Sequence, residues 1–254
     1  MDVKKILIER GIKAKATRSL GQYFLIDDGV ATRMVEYADV ESSDVVLEIG
    51  AGVGSLTEKL ERKAKKVYAV EKDEELCEVL KERYDNKSKT EVLEGDIMKL
   101  ELPKFDKVVA SIPFSLSSPI TYKLLLHNAG FGVAVLLYQK EFAQKMSAIP
   151  GSKLYGRLSV ITQALADIEI LELVHRDAFY PSPPVTAAIV RLREKVVENK
   201  EKFFELVTAA FGQRRKKMSS IFKTRFLGGL ALVELEKRPE ELSPEEFVKI
   251  AKSV

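Results

Sequence analysis

The sequence predicts an α/β fold: a Rossmann-like, doubly wound parallel sheet followed by a small helical domain. Three observations carry this prediction. Short, almost continuously apolar runs alternate with amphipathic helical patterns through the first two-thirds of the chain, as expected when helices cover both faces of a sheet. A glycine-rich turn, "VLEIGAGVGSLT", joins one of those strands to a helix. After about Arg193 the strand-like runs stop and the apolar period becomes helical.

The elements follow in order. The chain opens on a basic arm, "MDVKKILIERGIKAKATRS", which lacks the apolar core and cleavage site of a signal peptide. Strands are expected at "VVLEI" (45–49), "KVYAV" (66–70), "TEVLE" (90–94), "KVVAS" (107–111) and "GVAVLLY" (132–138). Helices are expected at "SLTEKLERKA" and "DEELCEVLKERY". These make a first domain over residues 1–193. Residues 194–254 are assigned to a helical domain that starts in "NKEKFFELVTAAFGQRRKKMSSIFKTRF". In "LSPEEFVKIAKSV", Ser243 as N-cap, Pro244 at the first helical position and Glu246 at the third spell a capping box.

Composition sets the function classes in play. The 254 residues suffice for one large and one small domain, and the high charged fraction with few amides suits high temperature. The single cysteine, Cys77, has no partner in the chain, so a reducing, cytoplasmic setting is expected; it sits in a helical pattern as a packed small side chain. His127 and His175 stand apart without a cysteine or acidic cluster, so no metal site is expected. No run approaches the ~20 apolar residues of a membrane span. A net charge of +3 does not by itself indicate a nucleic-acid partner, and the distribution of charge matters more.

Gly50 and Gly52 fall where a strand turns into a helix, a place that needs left-handed backbone and close ligand approach. Glu71 ends the second strand about twenty residues on, where a carboxylate can accept both hydrogen bonds of a ribose diol. Asp96, in "EGDIM", stands at the end of the third strand, where it can receive an adenine amino group. Either acid alone reads equally well as a solvated loop residue. Glycines and acids together, each at a strand end, indicate an adenosine-containing cofactor.

The stretch "DKVVASIPFSLSSPI" ends the fourth strand on Ser111, Ile112, Pro113 and Phe114. This small polar–x–Pro–aromatic ending resembles the catalytic turn of methyltransferases that act on base amino groups. An exocyclic adenine nitrogen is a poor nucleophile because its lone pair is delocalised into the ring. Acceptors on its hydrogens draw it toward tetrahedral geometry. The Ser111 hydroxyl supplies one acceptor. The Ile112 carbonyl supplies another, directed by the extended backbone that a following proline imposes. Phe114 offers a ring on which the base stacks. Orientation toward the methyl donor does most of the work.

With these motifs the chain resembles the ribosomal RNA adenine N6,N6-dimethyltransferase family, specifically the small-subunit dimethyladenosine transferases, and an archaeal member is expected. The resemblance extends over "LGQYFLID", "VEKD", "QKEFAQKM", "GSKLYGRLSV", "FYPSPPVTAAIVRL" and "AAFGQRRKKMSSIFK" in addition to the blocks above. It implies a class I methyltransferase fold with S-adenosyl-L-methionine as donor. It implies two adjacent adenosines in the 3′-terminal hairpin of small-subunit rRNA, in a pre-ribosomal particle, as targets. Position by position it implies Gln22, Tyr23 and Leu25 beside the donor, Gly50 and Gly52 in the cofactor loop, Glu71 at the ribose, Asp96 at the adenine and Ser111 between donor and base. Ser111 and Phe114 depart from the family's usual Asn and frequent Tyr.

Arg214, Arg215, Lys216 and Lys217, with Lys223 and Arg225, form a basic run that reads as a solvated helix face on its own and as an RNA contact under the resemblance. Lys13, Lys15 and Arg18 add charge beside the donor block. "FYPSPPV" reads as a rigid connector near the target cleft, or as a segment whose Phe179 and Tyr180 help hold the base. A monomer is expected, and two other functions remain open at this level: a ribosome-assembly factor that binds immature small subunits with weak or no methylation, motivated by Ser111, and an adenine methyltransferase of DNA or large-subunit RNA.

Overall fold

The computed structural model describes residues 1–12, 22–84, 88–127, 129–222 and 236–252. Lys13, Lys15, Arg18, Lys223 and Arg225 lie outside the described residues. The chain divides into two compact units. One comprises Met1–Lys140 and Glu169–Arg193, the other Glu141–Ile168 and Glu194–Val254. The sequence places a single boundary after residue 193; by contacts, Glu141–Ile168 instead groups with the later helices.

The first unit holds, except for Ala166–Ile168 and Glu194, seven strands: β2 (Val45–Ile49), β3 (Lys66–Glu71), β4 (Thr90–Glu94), β5 (Lys107–Ala110), β6 (Val133–Gln139), β7 (Ala166–Val174) and β9 (Ala187–Glu194). Their order across the sheet is β4-β3-β2-β5-β6-β9-β7. The five strands read from the sequence pair in parallel, in register from Val45↔Lys66 through Ala110↔Leu136. Two strands escape the sequence reading, and they make the sheet mixed rather than parallel. β9 runs antiparallel to β6, from Val133↔Arg193 to Gln139↔Ala187. β7 forms the outer edge, where Asp167, Glu169 and Glu172 interrupt its apolar residues, as edge strands commonly require.

Two short strands, β1 (Phe24–Leu25) and β8 (Phe179–Tyr180), pair antiparallel as a separate ribbon. Ile26 and Asp27 extend it by donating their N–H groups to the Ala178 carbonyl at 2.8 and 3.2 Å.

The helices form where sequence caps allow. Asp27 accepts from the Val30 amide at 2.9 Å and starts α2 (Asp28–Tyr37). Asp73 accepts from Glu75 and Leu76 and starts α4 (Glu74–Arg83). These satisfy amides that a helix N-terminus otherwise leaves unpaired. α2 and α3 (Thr57–Lys63) bury Ala31, Met34, Val35 and Leu60 against Val46, Val67, Val109, Val135 and Ile189 of the sheet. Met34 and Leu60 are fully buried, each removing side-chain area worth about 1.5–3 kcal/mol from water. α1 (Val3–Glu9) packs Val3 and Leu7 on Val53, Leu76 and Val79. After β5, α5 (Ser117–Leu125) returns the chain to β6.

The second unit contains α6 (Lys140–Met146) for most of its length, α7 (Arg157–Leu165), α8 (Lys200–Gly212), α9 (Met218–Phe222) and α10 (Pro244–Lys252). The capping box forms as read: Glu246 donates its N–H to Ser243 Oγ at 3.2 Å, and the Ser243 amide donates to the Glu246 carboxylate at 2.6 Å. Tyr155, 1% exposed, donates its hydroxyl to the Leu242 carbonyl at 2.7 Å and ties the α7 side of this unit to α10. Among the described residues no helix is long and apolar enough to cross a membrane.

Candidate active site

The chain leaves β2 toward β3 and β4 on one side and returns through β5 and β6 on the other. The strand order therefore reverses beside β2, and open α/β sheets bind ligands outside the carboxyl ends of strands at such a point. A cavity of about 390 Å³ lies there. Its lining includes Gln22, Tyr23, Leu25, Gly50, Gly52, Glu71, Asp96 and the whole turn Ser111-Ile112-Pro113-Phe114. All the donor-side and catalytic residues read from the sequence meet in this one space.

The glycine loop is held from two sides. Gly50 and Ala51 donate their N–H groups to the Val70 carbonyl at 2.8 and 3.1 Å, so the loop folds back on the end of β3. Gly52, at φ +60, donates its amide to Glu71 Oε2 at 2.8 Å, and a Cβ there would press on the Phe24 ring at 3.3 Å. A side chain at Gly52 thus meets both backbone strain and a crowded neighbour.

Glu71 is 8% exposed. Its Oε1 accepts from the amides of Lys72 at 2.8 Å and Asp73 at 3.0 Å. Burial raises its pKa, and the backbone donors of Asp73, Gly52 and Lys72 oppose that rise. Asp96 is held differently. The Met98 amide donates to Oδ1 at 2.9 Å and Lys72 Nζ donates to Oδ2 at 2.9 Å, and these two contacts lower its pKa. Two carboxylates therefore present acceptor oxygens into one cavity, the chemistry needed for a ribose diol and an exocyclic amino group. The donor set fits an S-adenosyl group.

The turn after β5 is set by its own backbone. Pro113 has φ −57 and ψ 125, and its carbonyl accepts from the Leu116 amide at 2.9 Å, starting a short 3₁₀ turn over Phe114–Leu116. Ser117 donates its hydroxyl to the Phe114 carbonyl at 2.9 Å. The ring of Phe114 lies 5.7 Å from Tyr23 and 6.2 Å, edge-on, from Phe179. Phe179 is 3% exposed and lines the cavity, and Tyr180 beside it is exposed. The segment "FYPSPPV" thus places a ring at the site, in addition to being a connector.

Glu48 also lines the cavity and is absent from the sequence-level site. It is 1% exposed and accepts from Thr57 Oγ1 at 2.6 Å at the start of α3. The available signal is a lone acid inside the apolar strand "VVLEI". Burial pushes its pKa up to about 8, against the hydrogen bond from Thr57. A carboxyl raised from 4.5 in the unfolded chain holds its proton when folded, so stability from this group is full below pH 4.5 and is lost as pH rises through about 8. Glu48→Gln is expected to lose less stability than the parent between pH 5 and pH 9, by about 2–4 kcal/mol in urea unfolding. Parallel pH profiles for the two proteins would show that Glu48 is not protonated in the fold.

Cys77 is fully buried, with its Sγ 3.4 Å from the Glu71 carbonyl, and burial pushes its pKa up to about 12. It is the packed small side chain the sequence indicates. Among the described residues no cluster of His, Cys, Asp and Glu is arranged to hold a metal ion.

The basic run lies in the second unit, where it forms the turn between α8 and α9 rather than a helix face. Arg214, Arg215, Lys216 and Lys217 are all exposed. Arg214 pairs with Glu240 at 2.5 Å, Lys217 with Glu236 at 2.6 Å, and Lys216 reaches the Gln213 side chain at 2.9 Å.

The family model for ribosomal RNA adenine dimethylase matches residues 13–254. A protein of Methanococcoides burtonii described as a probable ribosomal RNA small subunit methyltransferase A is 42% identical, over 98% of this chain and 96% of its own length. The crystal structure of a dimethyladenosine transferase from Plasmodium falciparum superposes with a TM-score of 0.78 at 32% identity, covering 89% of this chain and 95% of that one. The 23S rRNA methyltransferase ErmE superposes with a TM-score of 0.69 at 26% identity, covering 91% and 98%.

Proposed function

The chain belongs to the ribosomal RNA adenine dimethylase family, and from that premise we propose that it transfers methyl groups from S-adenosyl-L-methionine to the N6 atoms of two adjacent adenosines in the 3′-terminal hairpin of small-subunit rRNA. The observation that carries this reading is the single cavity shared by the glycine loop, Glu71, Asp96 and the Ser111–Phe114 turn. The substrate is rRNA within a pre-ribosomal particle, and the protein acts as a cytoplasmic monomer. An assembly factor without activity is the less favoured reading, because the curated relatives are named as methyltransferases.

The bound donor supplies an electrophilic methyl group on a sulfonium. Glu71 accepts the ribose hydroxyls, Asp96 the adenine amino group, and Gln22, Tyr23 and Leu25 close the donor side. The target adenine leaves its stack, at a cost of a few kcal/mol, and lies on Phe114 with Phe179 at its edge. In the first transfer Ser111 Oγ and the Ile112 carbonyl accept the two N6 hydrogens, and in the second one of them accepts the single hydrogen left, which directs the nitrogen lone pair at the methyl group. The proton released on transfer leaves through Ser111 Oγ or water, and no strong base is required. In the second unit, Arg214, Arg215, Lys216 and Lys217 meet RNA phosphates, and Arg214 and Lys217 exchange their present carboxylate partners to do so.

The test is transfer of labelled methyl from S-adenosylmethionine to small subunits purified from cells that lack the modification, followed by nucleoside analysis. N6,N6-dimethyladenosine at two neighbouring positions is the expected product. Tight particle binding with no methylated nucleoside would overturn the catalytic reading and leave an assembly factor.

A further inference from the structure

One residue touches both Glu71 and Asp96. The Lys72 amide donates to Glu71 Oε1 at 2.8 Å, and its ammonium donates to Asp96 Oδ2 at 2.9 Å. Lys72 itself lines the cavity. A carboxylate has about four lone-pair positions, and two on Asp96 are filled from opposite ends, by the Met98 amide on Oδ1 and by Lys72 on Oδ2. What remains is acceptor capacity on a side chain that is no longer free to turn. We propose that Lys72 is a positioning residue for the donor: its ammonium fixes Asp96 as an oriented, acceptor-only group, and the cavity thereby selects a base with an exocyclic amino group over one with a keto oxygen.

The proposal rests on the reading that the cavity takes an S-adenosyl donor. The Met98 amide and then Lys72 hold Asp96 below its ordinary carboxylate range, and Lys99 adds a weaker favourable charge. Without the ammonium, the carboxylate swings more freely, and its acceptor oxygens are no longer held toward one amino group. The ion pair is an exposed one, with the Lys72 side chain 69% and the Asp96 side chain 23% accessible, so its loss leaves fold stability nearly unchanged. Its effect is confined to the geometry and ionisation of Asp96.

The experiment is calorimetric binding of S-adenosylhomocysteine and of S-inosylhomocysteine, which carries a keto oxygen in place of the amino group. The proteins are the parent, Lys72→Met, Lys72→Arg and Asp96→Asn. Lys72→Met keeps the backbone donor to Glu71 and removes the ammonium alone. It is expected to weaken the adenosyl ligand about two- to fivefold, the range an exposed ion pair carries, and to narrow the adenosyl-over-inosyl ratio by a similar factor. Lys72→Arg is expected to restore the ratio. Asp96→Asn is expected to collapse it, because the amide can donate to the keto oxygen. An unchanged ratio in Lys72→Met alongside a collapsed ratio in Asp96→Asn would overturn the role of Lys72 alone. An unchanged ratio in both would overturn the placement of the base at Asp96, and the proposal with it.

Discussion

Glu71→Ala is expected to lower affinity for S-adenosylhomocysteine by at least about 100-fold. Each hydrogen bond from a ribose hydroxyl to a carboxylate is worth roughly 1.5–3 kcal/mol, and the substitution removes the acceptor for both. The same change strips the amides of Gly52, Lys72 and Asp73 of their shared partner. Water entering the cavity replaces part of that loss, so a destabilisation of about 1–3 kcal/mol is expected beside the binding defect. Glu71→Gln separates the two effects. It keeps one carbonyl acceptor and the shape of the side chain, so folding recovers more than binding does. Calorimetry and thermal unfolding on the three proteins check this, and undiminished binding by a folded Glu71→Ala protein would sink the ribose assignment.

Phe114→Ala is expected to reduce kcat/KM on small subunits about 10- to 100-fold, the kinetic equivalent of the 1–3 kcal/mol in a base–aromatic stack. Affinity for S-adenosylhomocysteine should change by less than about threefold, because the proposed partner of the ring is the target base and not the ribose. Part of the ring packs beside Tyr23 and Phe179, so a modest stability loss accompanies the change. Phe114→Tyr retains the ring and should retain the rate. Single-turnover methylation with saturating donor reads the effect directly; a rate unchanged in Phe114→Ala would place the base elsewhere.

Those two residues were legible because the chain writes them at strand ends, where the fold dictates what they can reach. Gly50, Gly52, Glu71 and Ser111 each stand at the end of an apolar run that burial on both faces makes easy to see, and Asp96 follows the half-exposed edge strand β4. β7 and β9 were harder. β7 mixes charge with apolar residues because it lies at the sheet edge, and β9 sits close behind a proline-rich connector that masks its start. Glu48 was hidden by its own surroundings: an acid in a central strand looks like an interruption until the Thr57 hydroxyl is seen against it. The basic run was read at a helical period, but α8 ends at Gly212 and four successive cations occupy a turn instead. Local pattern carries the strand ends; partners brought from distant sequence carry the rest.

The β1–β8 ribbon has a consequence for how this protein comes into being. Phe24 and Tyr180 pair directly, although one belongs to the start of the unit and the other to its last segment. A chain emerging from the ribosome can assemble β2 to β5 early, but the wall formed by Tyr23, Phe114 and Phe179 waits until Phe179 has been synthesised and the long loop has closed. Competence to recognise a ligand is therefore acquired late, at about the stage when β9 completes the sheet and well after β2 to β5 have formed.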